Sequence, residues 1–146
     1  MNNRDMARSY LQQALIRLET VERAVQAGNY AYAVRQSQEI VELALKGALR
    51  LVGIEPPRWH DVGPILREYR ERFPKWFREN IDRFAFASRQ LRREREPSMY
   101  GDEEIGIPPD RLYSKYDAEQ AYRYAREILE ACIRLYREAT GEEIMG

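Results

Sequence analysis

Residues 30–52 read YAYAVRQSQEIVELALKGALRLV. Within them Ala33, Val34, Ser37, Ile40, Val41, Ala44, Leu45, Ala48, Leu49 and Val52 recur at helical spacing, the period of one face of an α-helix and not of a strand. The stripe is wide, and several of its members are small. A wide stripe suits a central helix contacted on more than one side, and small residues let a neighbour come close. At ~1.5 Å per residue the segment spans about 35 Å.

The flanking sequence supplies partners for it. Upstream, Leu11, Leu15, Leu18, Val21 and Val25 form an a/d-type seam over residues 3–27. Gly28 ends that helix and Asn29 is placed to cap the next, so the two should be antiparallel neighbours. Downstream, Gly53 stops the second helix, and Glu55-Pro56-Pro57-Arg58-Trp59 is an extended linker, because each proline pushes its predecessor out of the α region. Asp61 is the expected cap of a short third helix with Pro64 in its first turn. Phe73-Pro74 breaks it. A fourth helix is expected over residues 75–94, with Trp76, Phe77, Ile81, Phe84 and Leu91 on its buried side. Residues 97–113, with Gly101, Gly106, Pro108, Pro109 and the acidic run Asp102-Glu103-Glu104, read as one long loop. Ser114 and Asp117 resemble a capping box opening a last helix to about residue 139, which Gly141 terminates. The expectation is an all-α, up-and-down antiparallel bundle of four or five helices, one domain over residues 1–146.

Composition narrows the function. The 146 residues are 44% apolar and 33% charged, which is globular, and the net charge is zero, so no global field steers the chain to nucleic acid or membrane. The apolar runs are far shorter than the roughly 20 residues of a membrane span. The opening residues lack the apolar core of a secretory signal, so the cytoplasm is the expected location. Cys132 sits in an apolar helical pattern and reads as a buried hydrophobe rather than a nucleophile. Glu39, Glu42, Glu127 and Glu130 bring no Glu-x-x-His partner for a di-metal site, and no phosphate-binding glycine loop is present; no metal and no cofactor is expected.

Residues 33–66, AVRQSQEIVELALKGALRLVGIEPPRWHDVGPIL, resemble the core signature of HEPN domains. The pattern is E-x-x-E-L-A-L-K, then G-I-x-P-P, then H-D, here Glu39, Glu42, Leu43, Ala44, Leu45, Lys46, Gly53, Ile54, Pro56, Pro57, His60 and Asp61. The resemblance implies a helical bundle commonly paired as a homodimer. It also implies association with nucleotides or RNA, and for many members a neighbouring minimal nucleotidyltransferase in a toxin–antitoxin arrangement. Catalytic members are ribonucleases carrying R-x4-6-H. Here the sole histidine, His60, lies in a different segment, and Arg95-Glu-Pro-Ser-Met-Tyr100 has the arginine and the spacing but tyrosine where histidine belongs.

That departure weighs against RNA cleavage. Attack by a 2′-hydroxyl is helped by a group titrating near neutrality; histidine does so at ~6.5, whereas tyrosine sits near ~10. Whether the chain is an enzyme stays open, with ribonuclease the one activity to weigh. Arg95 and Tyr100 are candidates for holding a phosphate and a base, and Arg89, Arg92 and Arg93 extend the same basic cluster. The plainer alternative makes these a solvated helix face diluted by Glu94 and Glu96. Glu39, Glu42, Lys46, Pro56, Pro57, His60 and Asp61 read as structural, with Lys46 paired to Glu42. Tyr10, Tyr30, Tyr32, Tyr122, Tyr124 and Tyr136, mostly at helical spacing, read as core or interface. Phe73, Trp76, Phe77, Phe84 and Phe86 offer more apolar surface than one seam hides, a physical reason to expect a dimer. Three functions are therefore carried forward: a nucleotide- or RNA-associated module with a nucleotidyltransferase partner, a ribonuclease toxin using Arg95 and Tyr100, and a small-molecule binding module.

Overall fold

Asn2 turns its side chain back to accept the Asp5 N–H at 3.2 Å, and α1 (Asn3–Gln26) starts there. The computed structural model describes residues 2–58 and 61–145. α1 ends at Gly28, whose φ of +81° is open to glycine without strain. The Asn29 N–H reaches Ala24 O at 2.8 Å and the Gly28 N–H reaches Val25 O at 3.2 Å, the paired bonds of a Schellman turn. α2 (Tyr30–Leu51) follows at once. Asn29 occupies the expected cap position, but its side chain makes no capping bond; the backbone turn closes the hairpin instead. The end of α2 repeats the device, with Ile54 N–H on Leu49 O at 2.9 Å and both residues buried.

Beyond it come α3 (Gly63–Glu68), a 3-10 turn at Arg70–Arg72, α4 (Lys75–Arg78), α5 (Ile81–Arg93), α6 (Pro97–Tyr100), α7 (Pro109–Leu112) and α8 (Lys115–Thr140). α8 opens with the expected box: Ser114 Oγ accepts from Asp117 N–H, and Asp117 Oδ2 accepts from Ser114 N–H at 2.7 Å. The long helices alternate in direction. Arg4, at the start of α1, pairs with Glu142 beyond the end of α8 at 2.6 Å. Trp76 of α4 and Arg83 of α5 pair with Glu138 and Glu127 of α8, so the α4–α5 stretch runs opposite to α8. The family expectation of an all-α, up-and-down bundle holds.

α2 is the central rod. Its stripe from Ala33 to Leu49 is buried, and only Val52 beyond it is partly open. A Cβ on Gly47 would meet Leu11 Cγ at 3.4 Å, an ordinary van der Waals contact, so α1 packs directly on this position. Leu45 and Leu49 meet Ile128, Leu129 and Tyr136 of α8 in one core cluster. Each such fully buried aliphatic side chain contributes roughly 1.5–3 kcal/mol.

Three expectations needed correction. The fourth helix is not continuous over residues 75–94. It breaks at Glu79-Asn80, where Asn80 Nδ2 donates to Trp76 O at 2.7 Å and competes with the helical ladder. Residues 97–113 are not one open loop. They hold α6, α7 and an antiparallel pinch in which Asp102 N–H donates to Ile107 O at 2.8 Å and Ile107 N–H to Asp102 O at 3.0 Å. The aromatic surplus is mostly absorbed within the chain. Phe73 stacks on Phe77 at 4.6 Å, Phe84 meets Phe77 edge-on, and Arg134 lies 3.9 Å above the Trp76 ring. Of that set Phe86 alone stays exposed. No helix among the described residues is long and apolar enough to cross a membrane.

Candidate functional site

The residues after α5 cannot continue it. Glu94 N–H turns back to Leu91 O and Arg95 N–H to Arg92 O, and Pro97 has no N–H with which to extend the ladder. The chain turns and α6 begins, its last residue Tyr100 donating its backbone N–H to Glu96 O at 2.8 Å. Gly101 then takes φ 77° and ψ −161°, a region essentially reserved for glycine. The folded-back α6 leaves Tyr100 and Arg95 on the wall of one groove.

That groove, about 740 Å³, is lined by Arg92, Arg93, Arg95, Glu96 and Tyr100 and, from α2, by Arg35. Four of the five residues marked out as ligand candidates from the sequence thus come together. Arg89 is exposed on α5 and does not line it. Arg35 was not foreseen. Its Nη1 donates to the Arg95 carbonyl at 2.7 Å, its Nη2 lies 3.9 Å from Glu39, and its side chain is 17% exposed, so it is held rather than waving in solvent. Sixty positions separate Arg35 from Arg95, and no local spacing links them. The one signal was an arginine beside Val34 at the edge of the buried stripe.

The motif glutamates stand behind the arginines. Glu42 lies 3.4 Å from Arg92 and 3.9 Å from Lys46, the pairing expected from their spacing. Glu39 lies 3.8 Å from Arg17 and 3.9 Å from Arg35. Each such pair contributes only a few tenths of a kcal/mol to about 1 kcal/mol, so its main consequence here is orientation. On the far side of the turn, Tyr113 donates its hydroxyl to Glu94 at 2.8 Å. Burial first, then the Glu94 carboxylate, push the Tyr113 hydroxyl well above its ordinary range, so it stays a donor.

Asp61 Oδ1 accepts from Gly63 N–H and from Ser88 Oγ, each at 3.1 Å, and ties the start of α3 to α5. It is not the cap expected of it: Val62 holds the cap place of α3, with no side-chain capping bond, and Asp61 stands one position before it. Pro56 and Pro57 sit in the extended linker. His60 lies outside the described residues. Cys132 is fully buried, and burial pushes its thiol far up, the opposite of an activated nucleophile. Among the described residues no group of three histidine, cysteine or carboxylate side chains stands together as a metal cluster.

Four guanidinium groups line the groove with Glu96, and although Glu39 and Glu42 pair with Arg35 and Arg92 from behind, the lining keeps an excess of positive charge that favours anions. The planar guanidinium forks match the oxygens of a phosphate, and Tyr100, 60% exposed, presents an open ring.

The HEPN domain model matches residues 7–137, nearly the whole chain, and the chain belongs to the HEPN domain family. It is similar to TT1696 from Thermus thermophilus, known from a crystal structure. The identity is 28%, the match covers 95% of this chain and 99% of that one, and the TM-score is 0.69. No curated protein matches the chain.

Proposed function

We propose that this HEPN protein is a single-domain, homodimeric module that binds the phosphates of a nucleotide or RNA, works with a minimal nucleotidyltransferase in a toxin–antitoxin-type pair, and does not itself cleave RNA. The observation that carries the phosphate role is the convergence of Arg35, Arg92, Arg93 and Arg95 with Tyr100 on one groove. The absence of cleavage is argued from chemistry. The R-x4-6-H pattern has tyrosine at position 100, and the sole histidine of the sequence is His60, in another segment. Dimerisation and the nucleotidyltransferase partner rest on family membership, with the exposed Phe86 as a modest apolar contribution to an interface.

The test is binding of a fluorescent single-stranded RNA decamer across a salt series. Each arginine–phosphate contact lowers the logarithmic salt slope by about 0.7 for single strands. Arg95→Ala is expected to weaken binding and flatten that slope by about this amount; an unchanged slope and affinity would remove the phosphate role. Intact RNA after prolonged incubation is expected.

A second reading keeps an active or degenerate ribonuclease, because Arg95 and Tyr100 line the same groove. Cleavage lost on Arg95→Ala would establish it in place of the first. Failure of RNA to bind, together with a small molecule that raises the melting temperature, would favour a non-catalytic small-molecule module.

A further inference from the structure

We propose that the arginine groove is one half of a two-part site, and that the other half holds the base of the nucleotide whose phosphate lies on the arginines; this extends the phosphate reading above and depends on it. A second cavity, about 710 Å³, opens on the far side of Arg35 and Met99, and both residues line both cavities. The two spaces are therefore neighbours across a shared wall.

The second half has a different chemistry. Tyr32, Arg35, Gln36 and Glu39 stand at i, i+3, i+4 and i+7 and share one face of α2. Met99 of α6 and Pro109 with Asp110 of α7 form the facing wall. Tyr32 and Met99 are each 48% exposed, so a ring face and a thioether stay open to a flat apolar body. Of the core-or-interface reading of Tyr32, its exposure removes the core half. The Gln36 amide offers a donor and an acceptor, and Asp110 offers acceptors, which suits the polar edge of a heterocycle.

Charge sets the direction in which a ligand would lie. On the arginine side Arg92, Arg93 and Arg95 stand with Glu96, and Glu42 pairs with Arg92 from behind; on the Tyr32 side Glu39 and Asp110 stand without a cation of their own beyond the shared Arg35. A phosphate is attracted to the first half and repelled from the second. Arg35, fixed to the Arg95 carbonyl, stands at the junction. A molecule that satisfies both halves has a planar body with a hydrogen-bonding edge and an anionic group at one end. That is a nucleoside phosphate, free or as a residue of RNA.

The experiment compares three probes by fluorescence anisotropy competition: an RNA decamer, an abasic ribose-phosphate oligomer of the same length, and free AMP. Wild-type protein is expected to prefer the base-bearing oligomer over the abasic one. Tyr32→Ala should weaken the base-bearing oligomer about fivefold or more, as expected for loss of one aromatic stacking platform, and leave the abasic oligomer unchanged. Tyr32→Phe should retain the wild-type preference. Gln36→Ala gives an independent variant should Tyr32→Ala melt early. Arg95→Ala should weaken both oligomers. If Tyr32→Ala and Gln36→Ala bind the RNA as wild type does while Arg95→Ala weakens both oligomers, the base half is overturned and the phosphate reading stands. If Arg95→Ala changes neither, both fall. Competition by AMP would identify a free nucleotide as the source, and a preference for base-bearing oligomer without AMP competition would identify RNA; each supports the two-part site.

Discussion

α2 runs 22 residues without interruption and buries twelve of them, whereas α3, α4, α6 and α7 have six, four, four and four residues. Isolated helices of that length are unstable in water, so each short piece depends on what it is tied to. In the body made by α1, α2 and α8 the tie is a continuous apolar seam. α3, α4 and α5 extend that seam through Leu66, Phe77, Ile81 and Phe84, whereas α6 and α7 bury no apolar side chain and the turns around them are held by individual hydrogen bonds, Tyr113 to Glu94 and Arg35 to the Arg95 carbonyl. The difference teaches where each property resides. The seam supplies most of the folding free energy and tolerates little change in volume. The tied pieces add less stability, but they aim Arg95, Tyr100 and Met99 at the groove.

The strongest way to break that division is to damage the seam. Leu45 is fully buried, and Leu45→Ala is expected to cost about 2–5 kcal/mol in urea unfolding while the folded fraction binds RNA as before. A cost under about 1 kcal/mol would mean that the body is not the main source of stability. Gly101→Ala should do the reverse. Its backbone conformation is closed to alanine, and the added Cβ would collide with the Ile107 carbonyl oxygen. The expected cost is about 1–3 kcal/mol, with RNA affinity falling because Tyr100 is displaced. Unaltered affinity in a protein that still folds would detach Tyr100 from the site.

The smallest effect is expected at the Tyr113–Glu94 tie. Tyr113→Phe should lose about 0.5–1.5 kcal/mol at neutral pH. The tie also carries a pH signature. The Tyr113 hydroxyl titrates higher in the folded protein than in the unfolded chain, where it loses its proton near pH ~10. Its contribution is therefore complete below that pH and is lost as pH rises further, because the unfolded state then binds fewer protons than the native one. Wild-type stability should fall more steeply above about pH 10 than that of Tyr113→Phe. Parallel curves in chemical denaturation would show that Tyr113 is not held by Glu94.

Much of the body was legible because its determinants are local. The stripe on α2, the seam on α1, the box at Ser114 and Asp117 and the stops at Gly28, Gly53 and Gly141 each lie within one or two turns of the residues they govern. Half of the site was legible for the same reason, since Arg92, Arg93, Arg95 and Tyr100 are near neighbours in the chain. The break at Asn80 was not, because asparagine there chooses between the helical ladder and its own bond to Trp76 only when packing sets the geometry. Nor was the ordering of residues 97–113, which depends on a backbone pinch closed across the glycine-bearing turn.

The sequence by itself determined that long amphipathic helices would bundle, which of their faces would be inside, and that an arginine run would end near a tyrosine. Only the tertiary structure decided that Arg35 meets Arg95, that Tyr32 stays open beside Met99, and that the two halves of the groove share a wall. Periodicity governs burial along one helix, but contact between residues sixty positions apart is set by how helices pack, and no single stretch of chain encodes it.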